Sequence, residues 1–189
     1  MYRHGYISPR ATIYHSDLHL GARVFVDDDC MIYQNNDGGT VTLGDKSRIY
    51  RNTIIETGAG GHVTLGNNAS IHPRCQLNAY LAPIEIGDDV MIAANCAFYS
   101  YDHSIDSDTP IHKQPITSKG GIAIGKEAWL GTGVIVLCGV RIGEGAVIGA
   151  GSVVTKDIPE GAIAVGNPAR VVKTRNEIGS ENVSTEIIS

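Results

Sequence analysis

The segment Ile124–Thr155, IGKEAWLGTGVIVLCGVRIGEGAVIGAGSVVT, carries an aliphatic residue every six positions: Ile124, Leu130, Val136, Ile142, Ile148 and Val154. Glycine follows four of them directly, at Gly125, Gly131, Gly143 and Gly149. The fourth position after each aliphatic residue is small or β-branched, as in Ala128, Val134, Val140, Ala146 and Ser152. A helix repeats at 3.6 residues and a strand at 2, so neither accounts for a period of six. A fixed period overrides any segment-by-segment reading and points to a repeat architecture.

The same spacing runs upstream in groups of three: Leu20, Val26, Ile32; Leu43, Ile49, Ile55; Leu65, Ile71, Leu77; Ile86, Ile92, Phe98. Three hexads make one 18-residue coil with a short strand per hexad, and stacked coils pair strand on strand around an aliphatic interior. The expected fold is therefore an all-β parallel β-helix of about six triangular coils. Glycine after the ladder residue, followed by Asp45, Asn67 or Asp88, suits corners that need positive φ or a side chain bonding its own turn. Upstream of Ile124, each of the four steps from a third hexad to the next coil leaves extra residues, the longest at about 99–121. These insertions are expected to leave one corner and stack as a wall, with the longest as a protruding loop; long loops in compact domains are usually functional.

Composition narrows the function. At 189 residues, one domain over 1–173 with a polar tail over 174–189 is the expected organisation. The formal charge of -5 offers no basic field for nucleic acid, and no stretch approaches the ~20 apolar residues of a membrane span. The start of the chain lacks a basic, apolar leader, so a cytoplasmic location is expected. Cys30, Cys75, Cys96 and Cys138 show no paired metal or redox spacing. Cys30, Cys75 and Cys96 share the fifth position of second-face hexads and should form one interior column with Thr53, where burial makes a thiol inert. His72 is expected at a corner facing the insertions.

These hexads, [Ile/Leu/Val]-Gly-x-x-[small]-x over about 20–155, resemble the hexapeptide-repeat acyltransferases, among them galactoside, maltose and serine acetyltransferases and the O-acetyltransferases of surface polysaccharides. From Ile122 to Lys173 the text is similar to the sugar acetyltransferases. The resemblance implies a left-handed β-helix, a homotrimer with active sites between subunits, and acetyl-CoA as acyl donor with no metal. It implies a general base at His103, in "FYSYDHSID", where the family's histidine is found. An imidazole changes charge near neutral pH, and acyl transfer to a hydroxyl needs one proton removed during attack. Asp102, Asp106 or a backbone carbonyl would orient the ring.

For the donor, the resemblance implies contacts from Gly131, Thr132, Ala150, Thr155, Lys156, Arg170 and Lys173, with cations matched to phosphate. Gly151 and Gly131 would let backbone approach the ligand. Trp129 points outward to a sugar ring, to the pantetheine arm or to a neighbouring subunit. Asn78, Tyr99, Tyr101 and Asp102, with Tyr80, would contact the acceptor. The expected reaction is direct transfer of acetyl to a hydroxyl of a sugar or surface-polysaccharide precursor. Alternatives are N-acetylation of a nucleotide-linked amino sugar, acetylation of an antibiotic, or a non-catalytic β-helix scaffold. A zinc enzyme of the same fold would need three spaced histidines, whereas His103 and His112 lie in one loop.

Overall fold

The computed structural model describes residues 5–177, so the end of the expected tail, 178–189, lies outside the described residues. The chain winds into a three-sided parallel β-solenoid. The first face is a nine-stranded sheet that starts at Tyr6–Ile7 and ends with Ala162–Val165 and the antiparallel strand Arg170–Thr174. The second face has seven strands, from Thr12–Tyr14 to Val153–Val154, and the third has six, from Leu18–Leu20 to Arg141–Ile142.

Register follows the six-residue period without a slip. On the second face Ile32 pairs with Ile55, Ile55 with Leu77, Leu77 with Phe98, Phe98 with Val136 and Val136 with Val154. The first face aligns Val26, Ile49, Ile71, Ile92, Leu130 and Ile148 in the same way. Aliphatic side chains from successive coils thus stack into one continuous interior, in which every ladder residue from Val26 to Val154 is buried. Leu20, on the open first coil, is 43% exposed. Parallel strands buried on their inner side need apolar residues at each inward position, which the hexad supplies. The leading coil, with strands Tyr6–Ile7, Thr12–Tyr14 and Leu18–Leu20, is complete.

The corners work differently from the sequence expectation. Glycine after the ladder residue does not take positive φ. That conformation falls two residues later, at Lys46, Asn68, Asp89 and Glu127 and then at Gly145. The glycine is needed because the next coil passes too close for a side chain. A Cβ on Gly44 would lie 2.7 Å from Gly66 C, one on Gly66 2.5 Å from Asp88 N, and one on Gly125 2.5 Å from Glu144 N. Asp45, Asn67 and Asp88 likewise bond across coils. The Oδ1 of Asp45 accepts from the Ala22 N–H at 2.8 Å, that of Asn67 from the Asp45 N–H at 2.8 Å, and that of Asp88 from the Asn67 N–H at 2.6 Å. Gly66→Ala is therefore expected to cost about 1–3 kcal/mol through overpacking against backbone that cannot retreat, read as a lowered thermal midpoint by circular dichroism.

The inserted residues leave the corner between the second and third faces, in the segments around 35–40, 59–62, 81–83 and 100–121. The last is the arm. Its base is clamped by serines. The Ser100 hydroxyl accepts from the Tyr80 N–H at 2.9 Å, and the Ser118 hydroxyl donates to the Ser100 carbonyl at 2.6 Å. Within the arm Asp102–His103 pairs antiparallel with Ile116–Thr117. Among the described residues no helix is long and apolar enough to cross a membrane.

Candidate active site

His103 stands at the start of the arm, exposed, in the short hairpin just described. Its ring lies edge-on to Tyr101, with centroids 6.3 Å apart. The Asp102 carboxylate accepts a 2.8 Å hydrogen bond from the His103 backbone N–H, which fixes the local turn. Asp106 is held through its own N–H, which donates to Gln114 Oε1 at 2.9 Å. A cavity of about 280 Å³ opens beside His103, lined by Tyr99, Tyr101, Asp102, Leu137 and Cys138.

Tyr99, Tyr101 and Asp102 are thus gathered around His103, and Asn78 pairs with Tyr99 on the adjacent strand. Thr155 and Lys156 lie at the same corner two coils further on, just past the paired strands that carry Phe98, Val136 and Val154. The other sequence-derived donor residues lie elsewhere on the prism. Trp129, 49% exposed, sits on the first face between Met91 and Val147. Thr132 and Ala150 are exposed at the corner between the first and second faces, where the Thr132 carbonyl accepts from the Gly151 N–H at 2.8 Å. Arg170 and Lys173 lie on the last strand of the first face. Within one copy of the chain, His103 and the Trp129–Ala150 group therefore occupy different corners.

Two glycines behave differently from each other. A Cβ on Gly131 would meet Ala150 N at 2.7 Å, so the close approach it permits is to the next coil and not to a ligand. Gly151, at φ 70°, faces open space. His72 also departs from expectation. It follows a first-face strand, so it sits at the corner opposite the insertions, with its ring 5.0 Å from that of Tyr50.

The interior column is as expected: Cys30, Thr53, Cys75 and Cys96 are all buried. Each side chain donates to a carbonyl of the following coil, Cys30 to Tyr50, Thr53 to His72, Cys75 to Ala93 and Cys96 to Gly131, all at 3.2 Å. Burial pushes the Cys30 thiol up, and the Cys96 thiol together with burial pushes Cys75 well above its ordinary value. These thiols have no route to a thioester. Cys138 is also buried but borders the His103 cavity.

Sequence reasoning passed over Glu56. It stands outward on the second face between Tyr33 and Asn78. The Tyr80 hydroxyl donates to its Oε1, and Tyr33 is its register partner on the paired strand, with burial and Glu56 pushing the Tyr33 phenol up. Burial, aided by Glu56, pushes the Tyr80 phenol up to about 12. The signal was the position after each second-face ladder residue, which reads Tyr33, Glu56, Asn78, Tyr99 down the sheet.

Residues 121–156 match the family model described as bacterial transferase hexapeptide (six repeats), and 77–99 match the hexapeptide repeat of succinyl-transferase. The Mycobacterium tuberculosis protein Rv3034c, named as a probable acetyltransferase, is 38% identical over 139 residues, covering 73% of this chain and 43% of its own length. The chain thus spans less than half of that relative. A maltose O-acetyltransferase structure from Clostridium difficile 630 matches with a TM-score of 0.60 and 38% identity, over 70% of this chain and 68% of that one. The hexapeptide-repeat acetyltransferase VCA0836 from Vibrio cholerae, solved with acetyl coenzyme A, matches with a TM-score of 0.60 and 31% identity, over 70% and 69%.

Proposed function

This chain belongs to the hexapeptide-repeat acyltransferases, with their left-handed β-helix, and from that premise we propose that it moves acetyl from acetyl-CoA to a hydroxyl of a sugar or surface-polysaccharide precursor. The observation that carries the reading is the placement of His103. An exposed imidazole on a clamped arm opens on a cavity floored by tyrosines, at a corner that continues to Thr155 and Lys156. The acetyl-CoA in the V. cholerae structure and the maltose O-acetyltransferase likeness support the donor and the acceptor class.

In this mechanism His103 removes the proton of the acceptor hydroxyl as its oxygen attacks the thioester carbonyl. A tetrahedral intermediate forms, its C–S bond breaks, and the imidazolium returns the proton to the departing thiolate. Trp129, Thr132, Ala150, Thr155, Lys156, Arg170 and Lys173 hold the donor, with Arg170 and Lys173 suited to its phosphates. Because Thr132 and Ala150 lie at a different corner from His103, the reading includes a homotrimer in which one copy's arm meets a donor held by its neighbour. It also includes a cytoplasmic location.

The test is thiol release from acetyl-CoA with sugar acceptors, followed by hydroxylamine treatment of the product. Hydroxylamine-labile ester is the expected product; an amide would contradict O-acetylation, and no release with any sugar would contradict the activity. Direct transfer is tested by Cys138→Ala, since Cys138 is the thiol beside the cavity. The variant is expected to keep its rate, and collapse of turnover together with loss of a trapped acetyl-enzyme would contradict it.

A further inference from the structure

The outward row on the second face runs from the His103 cavity to the N-terminal coil, with Asn78 buried beneath its neighbours and Tyr33, Glu56 and Tyr99 half-buried. Across adjacent paired strands it reads Tyr99, Asn78, Glu56, Tyr33, Tyr14. Neighbouring strands are about 4.8 Å apart, so four steps cover roughly 19 Å. Further rings adjoin this row. Tyr80 and Tyr101 have centroids 5.0 Å apart, and Tyr101 is 6.5 Å from Tyr99 and 6.3 Å from His103. At the far end a cleft of about 730 Å³ is lined by Tyr14, 75% exposed, with His15, Asn35 and Asp37.

Glu56 lies at the middle of this floor, half-buried, with the Tyr80 hydroxyl bonded to it and Tyr33 paired with it across the strands. Asn35 Nδ2 donates to the Tyr80 hydroxyl at 3.0 Å, which ties the cleft to the centre. A carboxylate offers about four acceptor positions, so the one phenol bonded to it leaves room for a ligand donor. Flat apolar rings suit the C–H faces of a pyranose, and the carboxylate accepts from a hydroxyl or, more strongly, from an ammonium group. A second carboxylate there would meet like charge. The charges around the floor reinforce this. Asp102 borders one end and Asp37 the other, while His15 is held toward its neutral form by burial; the cations of the arm are Lys113 and Lys119.

We propose that the Tyr33–Glu56–Tyr80–Tyr101 floor is the acceptor subsite and that Glu56 makes it select neutral or amino-substituted pyranosides over acidic sugars. This deepens the proposed function and rests on it only in calling the bound sugar an acceptor. The experiment is saturation-transfer NMR of the full chain with coenzyme A present, using methyl glucoside, methyl glucosaminide and methyl glucuronide as probes. Glucoside and glucosaminide are expected to bind, and the glucuronide at least about fivefold more weakly, the scale of one partly exposed charge interaction.

Glu56→Gln keeps an oxygen to accept from Tyr80 and removes the charge. It is expected to shrink the glucosaminide-over-glucuronide preference by about fivefold. In the unaltered chain, added salt should shrink the same preference, because salt screens exposed charge. Equal binding of the glucuronide, no binding by any probe, or a preference indifferent to both salt and Glu56→Gln would overturn the subsite. Binding is read without turnover, so the two readings fail separately. A chain that binds the probes as expected but releases no thiol overturns the activity alone, and one that acetylates glucuronide as readily as glucoside overturns the subsite alone.

Discussion

Replacing His103 with alanine is expected to lower kcat for acetyl transfer by about a thousandfold, within the 10²–10⁴-fold range of a positioned proton-transfer group. The affinity for coenzyme A should stay as it was, because His103 lies on the arm while Trp129, Thr132 and Ala150 lie on other parts of the prism. Stability should also hold. The side chain is exposed, and the arm's base is fastened by Ser100, Ser118 and Tyr80 and not by the imidazole. Steady-state thiol release with both substrates varied separates these effects. A rise in the coenzyme A KM with kcat unchanged would reassign His103 to donor binding.

Phe98→Ala is expected to have the largest effect on stability. Phe98 is fully buried between Leu77 and Val136 in the second-face ladder, where every neighbouring rung is a smaller aliphatic side chain. Coils fixed by backbone hydrogen bonds above and below, such as Gln76 N–H to the Cys96 carbonyl and Ala97 N–H to the Val134 carbonyl at 2.9 Å, cannot collapse into the space. The expected cost is about 3–5 kcal/mol, or a fall of about 10 °C in thermal midpoint for a domain of this size. This exceeds the Gly66→Ala cost, because overpacking at a corner displaces a few atoms whereas an empty rung removes contacts on all sides. The measurement is a thermal melt followed by circular dichroism. A fall of only a degree or two would mean that the rungs contribute independently of their packing.

The sequence was most legible where one physical requirement repeats. Each hexad must turn one side chain inward, and Ile32, Ile55, Leu77, Phe98, Val136 and Val154 announce that period and pair in register. The corner chemistry was half legible. Gly66 and Asn67 were visible as a recurring pair, yet their purpose depends on Asp88 one coil away, and no local turn rule contains that neighbour. His72 was misplaced although its corner was legible: it follows Ile71, the second hexad of its coil, whereas the insertions follow the third.

The candidate site drew notice in the arm, because a long connection carrying His103 interrupts a strict period. Glu56 was not singled out, since a lone outward glutamate on a solenoid face reads as solvated surface. Only stacking brings it under Tyr80, whose hydroxyl points to it from 24 residues away. Outward residues obey no hexad rule, and their meaning comes from the strand next door.

The central claim is that the acceptor's proton passes to His103 while acetyl moves directly from the thioester. Its most direct test is a single turnover with acetyl-CoA already bound, comparing wild type with His103→Ala, with and without added imidazole. The account predicts one phase of thiol release concurrent with ester formation in the wild type, loss of that phase in the variant, and partial recovery when imidazole is added. Thiol release that precedes ester formation, or a variant that completes the turnover at the wild-type rate, would contradict it.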